Sequence, residues 1–263
     1  MKYIPSDEVA GTRPSWRDRW LERGLRPLRI AEFVYERPDG NPVVKKVKFA
    51  LMRTDDGRWS GEKTFVVQHR TIQSVLLGAD RWDPGVGREG WETDLLYKRV
   101  ELEKALRAGE DLIVCEGEKD CDSVMVEGWG AATSHYQGAA GMRLEQAAVI
   151  ARCRGTVYIV MDRDVTGVQI AWRSAVLLVK AGLGPRQISF HEPAIDKVGA
   201  DVSDHIKAGL GPDELRPVSS FEVREVIAEH GELPRGGWGY GYKTRELGDG
   251  QGTHDGEWKV QRA

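Results

Sequence analysis

Three acidic groups in the second half of the chain have the types and spacings that metal-assisted phosphoryl chemistry needs: Glu116 with Asp120, Asp162 with Asp164, and Asp201 with Asp204. Glu116 and Asp162 each follow a short apolar run, DLIVC and TVYIVM, at the carboxyl end of a predicted strand, where open parallel sheets gather functional groups. Asp120 lies one helical turn beyond Glu116 and so can face the same cleft. Carboxylates converging to about 4 Å repel by about 4 kcal/mol per pair at an effective dielectric near 20, and a divalent cation removes that cost. Donors that are all oxygen favour Mg²⁺ or Mn²⁺ over zinc, and such ions bridge protein carboxylates to phosphate oxygens. Glu118 and Asp122 read as first-turn acids that complement a helix dipole.

The elements that must position these groups follow a clear pattern from residue 111. DLIVC, EKDCDSVMVEG, AATS, MRLEQAAVIARC, TVYIVM, VQIAWRSAVLLVKAG and QISFH alternate between strand and helix, which predicts an α/β fold with a mostly parallel sheet and flanking helices. The unbroken apolar run Val157 to Met161 suits a central strand covered on both faces. Ahead of it, IAEFVYE, PVVKKVKFALM and KTFVVQH are β-rich runs separated by turn signals at 38–41 and 55–57, a small antiparallel meander. Residues 12–29 predict a short basic helix at best, 80–94 a connecting loop, and DLLYKRVELEKALRAG a helix stopped at Gly109. The expected organisation is a basic, β-rich α+β subdomain with its connecting helix over 1–109, a catalytic domain over 110–215, a helix over 216–230 and a Gly-rich tail over 231–263.

Composition narrows the setting. No stretch approaches the roughly 18 apolar residues that span a bilayer, and the polar start lacks a secretory core, so a cytoplasmic protein without membrane partners is expected. Cys115, Cys121 and Cys153 form no C-x-x-C pair and argue against a disulfide framework or a zinc ribbon. The net charge of -3 hides an asymmetry, since residues 1–73 carry about 15 Lys/Arg against about 10 Asp/Glu. Arg17, Arg19, Arg23 and Arg26 beside Trp16 and Trp20, and Lys46 and Lys48 on one face of a strand, are candidates for contact with single-stranded nucleic acid through phosphates and base stacking. A solvated basic face with two core tryptophans is the competing reading. His69, His135, His191 and His205 lack metal-ligand spacing and read as structural.

Residues 111–209, with LIVCEGEKDCDSV, ATSHYQGAAG, VYIVMDRDVTGVQIAWRSA and DVSDHIKAG, resemble the topoisomerase-primase (TOPRIM) domain, above all that of phage and plasmid primases. LLYKRVELEKALRAGED and the YERPDG meander resemble the segment those primases carry ahead of it. The resemblance implies a TOPRIM, Rossmann-like catalytic domain in which Glu116 is an acid/base or metal-shell carboxylate and Asp162 and Asp164 hold Mg²⁺ or Mn²⁺. Asp120 and Asp201 would complete the acidic set, and Gly117, Lys119 and Gly138 would meet phosphate. HYQGAAG departs from the short Gly-Thr form of DnaG-type primases. The implied reaction is synthesis of short RNA primers on a single-stranded DNA template from nucleoside triphosphates, in the cytoplasm of a bacterial host.

Two features of such primases have no match here. No Cys/His spacing supplies a zinc module, and GGWGYGYKT misses the G-x-x-x-x-G-K-[ST] phosphate loop, so a separate replicative helicase is expected. Three other readings stay open: a TOPRIM nuclease using the same carboxylates, a haloacid-dehalogenase-like phosphatase with Asp162 as nucleophile in D-R-D-V-T, and a catalytically silent nucleic-acid-binding subunit.

Overall fold

The computed structural model describes residues 16–85, 93–136 and 141–232; Gly138 and the expected tail from 233 onward lie outside them. A short helix, α1 (Trp16–Glu22), leads into three long antiparallel strands, β1 (Leu25–Glu36), β2 (Pro42–Arg53) and β3 (Trp59–His69). After α2 (Ile72–Leu76), the short β4 (Asp83–Pro84) completes a sheet of order β1-β2-β3-β4. The turns at Gly40 and Gly57 have φ of 83° and 69°, a region glycine enters without a Cβ penalty. The meander starts earlier than expected: Leu25 to Arg29, read from sequence as part of a broken helix, pair with Arg53 to Phe49 of β2.

The chain then runs through α3 (Arg99–Ala108), β5 (Leu112–Cys115), α4 (Glu118–Val126), β6 (Ala131–Thr133), α5 (Leu144–Ile150), β7 (Val157–Val160), α6 (Val165–Lys180), β8 (Ile188–Glu192), α7 (Val202–Lys207), β9 (Arg216–Val218) and α8 (Ser220–His230). Strand order is β6-β5-β7-β8-β9, parallel but for β9 against β8. Mixed α/β architecture with a mostly parallel second sheet is thus as expected. The expected helix over 216–230 differs: its first residues form β9, which buries Val218 against the β8 side of the core. Pro217 is compatible with strand structure there because β9 lies at the sheet edge.

One face of the parallel sheet packs Leu112, Val157, Ile159 and Phe190 against Leu106, Ile150, Ala171, Leu178 and Val223. The other face shares its core with the antiparallel sheet: Phe33, Tyr35, Val44 and Val67 join Cys115, Cys121, Val124 and Val160 in one buried cluster. Removing such side chains from water contributes roughly 1.5–3 kcal/mol each, so this shared cluster holds the meander onto α4. No described helix is long and apolar enough to cross a membrane.

Candidate active site

The acidic groups meet because β5 and β7 are parallel neighbours with Cys115 opposite Val160. The chain therefore leaves both strands on the same edge, at Glu116 and, one residue later, at Asp162. Asp164 caps α6, its Oδ1 accepting from the Gly167 N–H at 2.7 Å. Asp120, buried in the first turn of α4, accepts from Ser203 Oγ at 2.6 Å. Asp201 caps α7 by accepting from the Asp204 N–H at 2.8 Å and meets Lys119 Nζ at 2.5 Å. Asp204 pairs with Lys197 at 2.8 Å, on the outer side of the group.

Burial, followed by the charges of Asp164 and Asp120, raises the Glu116 carboxyl above the usual range, while a hydrogen bond with Asp162 opposes the shift. Asp162 is raised by burial first and then by Glu116, Asp120, Asp201 and Asp164. Asp120 is also raised, mainly by burial, with the Ser203 hydroxyl opposing it. Glu116 and Asp162 thus both favour the protonated form, in a pocket of surplus negative charge. That electrostatic deficit and the all-oxygen donors fit a hard divalent cation such as Mg²⁺ or Mn²⁺. The carboxylates expected at the metal site, Glu116, Asp120, Asp162, Asp164 and Asp201, are electrostatic neighbours. Among the described residues no three His, Cys, Asp or Glu side chains converge to hold an ion, because Asp120, Asp164 and Asp201 are turned to local donors.

The basic candidates divide. Lys46 is not a solvent-facing strand cation but is buried, 2.7 Å from Glu118 Oε1. Glu118 is in turn no exposed dipole-compensating acid: it is 6% exposed and also accepts from the Tyr35 hydroxyl. Lys48 is half-buried on the same strand face, its ammonium pKa lowered by burial and then by the nearby charges of Lys63 and Lys119. Lys48 and Lys63, with Lys119 at the acidic edge where it pairs with Asp201, thus form a cationic strip along the meander. Arg17 and Arg19 are exposed on α1. Arg23 pairs with Glu62 at 3.1 Å and lies 4.6 Å over the Trp20 ring, so its charge is engaged locally. Gly117 caps α4, where a Cβ would come within 3.0 Å of Asp120 Oδ2.

Other groups were not visible from sequence. Ser203 holds Asp120, and nothing in D-V-S-D-H singles out the serine. Among the described residues, buried Ser134 Oγ and His135 Nδ1 have no hydrogen-bond partner, and burial lowers the His135 pKa to about 4, which keeps the imidazole neutral. Arg163, between the two aspartates, forms an ion pair with Glu192, Nε lying 3.3 Å from Oε1, an arrangement that only the β7–β8 pairing creates.

No protein-family model and no curated protein matches the sequence. Solved structures do resemble it. The Escherichia coli primase catalytic core superposes with a TM-score of 0.50 at 14% identity, over 76% of this chain and 56% of that one. A DNA primase domain from Pseudomonas aeruginosa gives 0.48 at 15% identity, over 86% and 56%. The zinc-binding and RNA polymerase domains of the Aquifex aeolicus primase give 0.45 at 18%, over 88% and 45%. The chain spans about half the length of each. Two sheets, one antiparallel and one mostly parallel with helices, are the fold this chain shares with the first of them.

Proposed function

We propose that this chain, built on the fold of a primase catalytic core, is a nucleotidyltransferase that makes short RNA primers on single-stranded DNA. The observation that carries the reading is the buried Glu116–Asp162 pair at the carboxyl edge of the parallel sheet, short of positive charge, beside the cationic strip of Lys48 and Lys119. Polymerisation needs both features, a seat for divalent cation and phosphate and a track for a polyanion.

Asp162 and Asp164 would hold Mg²⁺ or Mn²⁺, with Glu116, Asp120 and Asp201 adding negative charge around it. The ion would supply charge neutralisation at the reacting phosphate and activation of the attacking hydroxyl. The chain's own residues do the rest. Glu116, with a raised pKa and a hydrogen bond to Asp162, is placed to take the proton of a primer 3′-hydroxyl as its oxygen bonds to the α-phosphorus of a nucleoside triphosphate and pyrophosphate leaves. Lys119, half-exposed beside Asp201, and the N–H groups opening α4 after Gly117 face the anionic phosphates. Lys48 and Lys63 extend that contact to the template backbone. A separate helicase remains the expected source of unwound template.

The test is incorporation of labelled ribonucleotides on single-stranded DNA with Mg²⁺ or Mn²⁺, with template degradation scored in the same gel. Short products lost in both Glu116→Gln and Asp162→Asn are the expected result. Degraded template without products would replace this reading with the nuclease; neither activity would leave a binding subunit.

A further inference from the structure

Between the carboxylates of Asp162 and Asp164 the sequence places a cation of its own, Arg163. A guanidinium adjacent to two carboxylates is their nearest competitor for any divalent ion, because it neutralises them and forms paired hydrogen bonds with them. The fold draws it aside. The Arg163 N–H donates to the Ala200 carbonyl at 3.0 Å, and its carbonyl accepts from the Gly199 N–H at 3.0 Å. Its guanidinium meets Glu192 Oε1 at 3.3 Å, Asp196 Oδ1 at 3.3 Å and the Ile195 carbonyl. Asp196 is fully exposed, so solvent screens its attraction. Glu192, the last residue of β8, is only 6% exposed. Its Oε1 also takes Arg216 Nε of β9 at 2.8 Å, and Arg216 pairs with Glu222 of α8 at 3.0 Å. A line of alternating charge therefore runs from α8 through the sheet edge to the acidic turn.

We infer that Glu192 is a positioning residue that holds the Arg163 guanidinium away from Asp162 and Asp164 and so keeps that turn open to a divalent cation. The inference rests on the metal site of the proposed function. It makes β9 and α8 part of the support of the site, through Arg216.

The test is Mn²⁺ titration of the full chain without nucleic acid, following the free-ion electron paramagnetic resonance signal, with thermal unfolding to confirm that each variant is folded. Glu192→Gln releases Arg163 onto its neighbours, and Mn²⁺ affinity should fall roughly tenfold or more, the range for losing a supporting partner of a metal site. Adding Arg163→Gln to that variant removes the competitor and should restore affinity to within about twofold of wild type, a coupling that a purely structural role does not produce. Unchanged affinity in Glu192→Gln overturns the inference, as does a double variant as weak as the single one. Should Glu192→Gln not fold, Arg163→Gln alone decides: affinity equal to or tighter than wild type supports the inference, and weaker binding overturns it. A wild type that binds no Mn²⁺ removes the metal site itself, a result distinguishable because no variant then differs from it.

Discussion

Lys46 and Glu118, 72 positions apart in the chain, close a 2.7 Å ion pair with side chains 9% and 7% exposed. Glu118 accepts a second hydrogen bond from the Tyr35 hydroxyl, and the Lys46 ammonium lies 4.7 Å from the Phe65 ring centroid. The pair joins β2 of the antiparallel sheet to the first turn of α4, two residues from Glu116. Breaking a buried pair by removing one partner leaves the other charge uncompensated, so Glu118→Leu or Lys46→Met should each cost about 3–5 kcal/mol. Combining Lys46→Met with Glu118→Leu should recover much of that loss. Urea unfolding of the four proteins measures the coupling, and simple additivity of the single losses would show that the pair holds nothing together.

The same ion pair separates two lysines that share a strand face. Lys48 has Lys63 and Lys119 as neighbours and no carboxylate partner among the ion pairs described, whereas the charge of Lys46 is matched by Glu118. Lys48→Ala should weaken binding of single-stranded DNA and reduce the slope of log K against log salt by about 0.7, the value for one phosphate contact on a single strand. Lys46→Met should leave that slope unchanged where the variant is folded. Fluorescence anisotropy at several salt concentrations measures both, and an unaltered slope in Lys48→Ala would remove it from the nucleic-acid surface.

Much of this arrangement was legible because it depends on local pattern. The apolar runs before Glu116 and Asp162 and the strand–helix alternation identify the parallel sheet and the edge where acids collect. Lys46 shows where local pattern fails. Its alternation with Lys48 on a strand is real, but the partner that decides its burial is 72 residues away, and a sequence carries no mark of that pairing. Glu118 fails for the same reason, since a first-turn acid looks identical whether it faces water or a buried lysine. β9 is too short, at three residues, to show period-two alternation, and its Pro217 reads as a breaker. The orientation of Asp120, Asp164 and Asp201 toward Ser203 Oγ and toward the backbone N–H groups of Gly167 and Asp204 follows from capping geometry that competes with ion binding at the same atoms.

The raised carboxyls of Glu116 and Asp162 give stability a defined pH dependence. A carboxyl whose folded pKa lies above its unfolded value binds its proton more tightly when folded, so raising pH through that interval favours unfolding. The penalty is absent below about pH 4, where both states are protonated, and grows upward into the neutral range. Asp204 and Asp39 are shifted the other way, by a Lys197 hydrogen bond and by Asn41, so their contribution is lost only as pH falls below the ordinary carboxylate range. Above about pH 6.5 the metal-free protein should therefore lose stability as pH rises, while below it His135 and His191, whose pKa values burial lowers, oppose the trend because the unfolded state binds their protons better. Mg²⁺ should raise the melting temperature more at pH 8 than at pH 6, and Asp162→Asn should flatten both trends. Circular dichroism melts with and without Mg²⁺ check this; a Mg²⁺ effect independent of pH would mean that the ion binds elsewhere.

Gly167 sets how closely α6 approaches the acidic turn. A Cβ there would lie 2.3 Å from the Asp162 carbonyl oxygen and 2.9 Å from its carbonyl carbon and nitrogen, all backbone atoms that cannot rotate away. The Gly167 N–H is also the donor that orients Asp164. Gly167→Ala must push the first turn of α6 off the turn that carries Asp162, at a cost of about 1–3 kcal/mol for overpacking. The displacement moves Asp162 relative to Glu116, so ribonucleotide incorporation should fall at least tenfold even at a temperature where the variant is fully folded, a loss of about 1.4 kcal/mol in transition-state stabilisation. Gly128→Ala is the matched control. Gly128 has a φ of 71° with nothing within 4 Å of its added Cβ, so that variant should lose about 1 kcal/mol from backbone strain alone and keep its activity. Equal activity in the two alanine variants would show that the spacing between α6 and the Asp162 turn does not govern the chemistry.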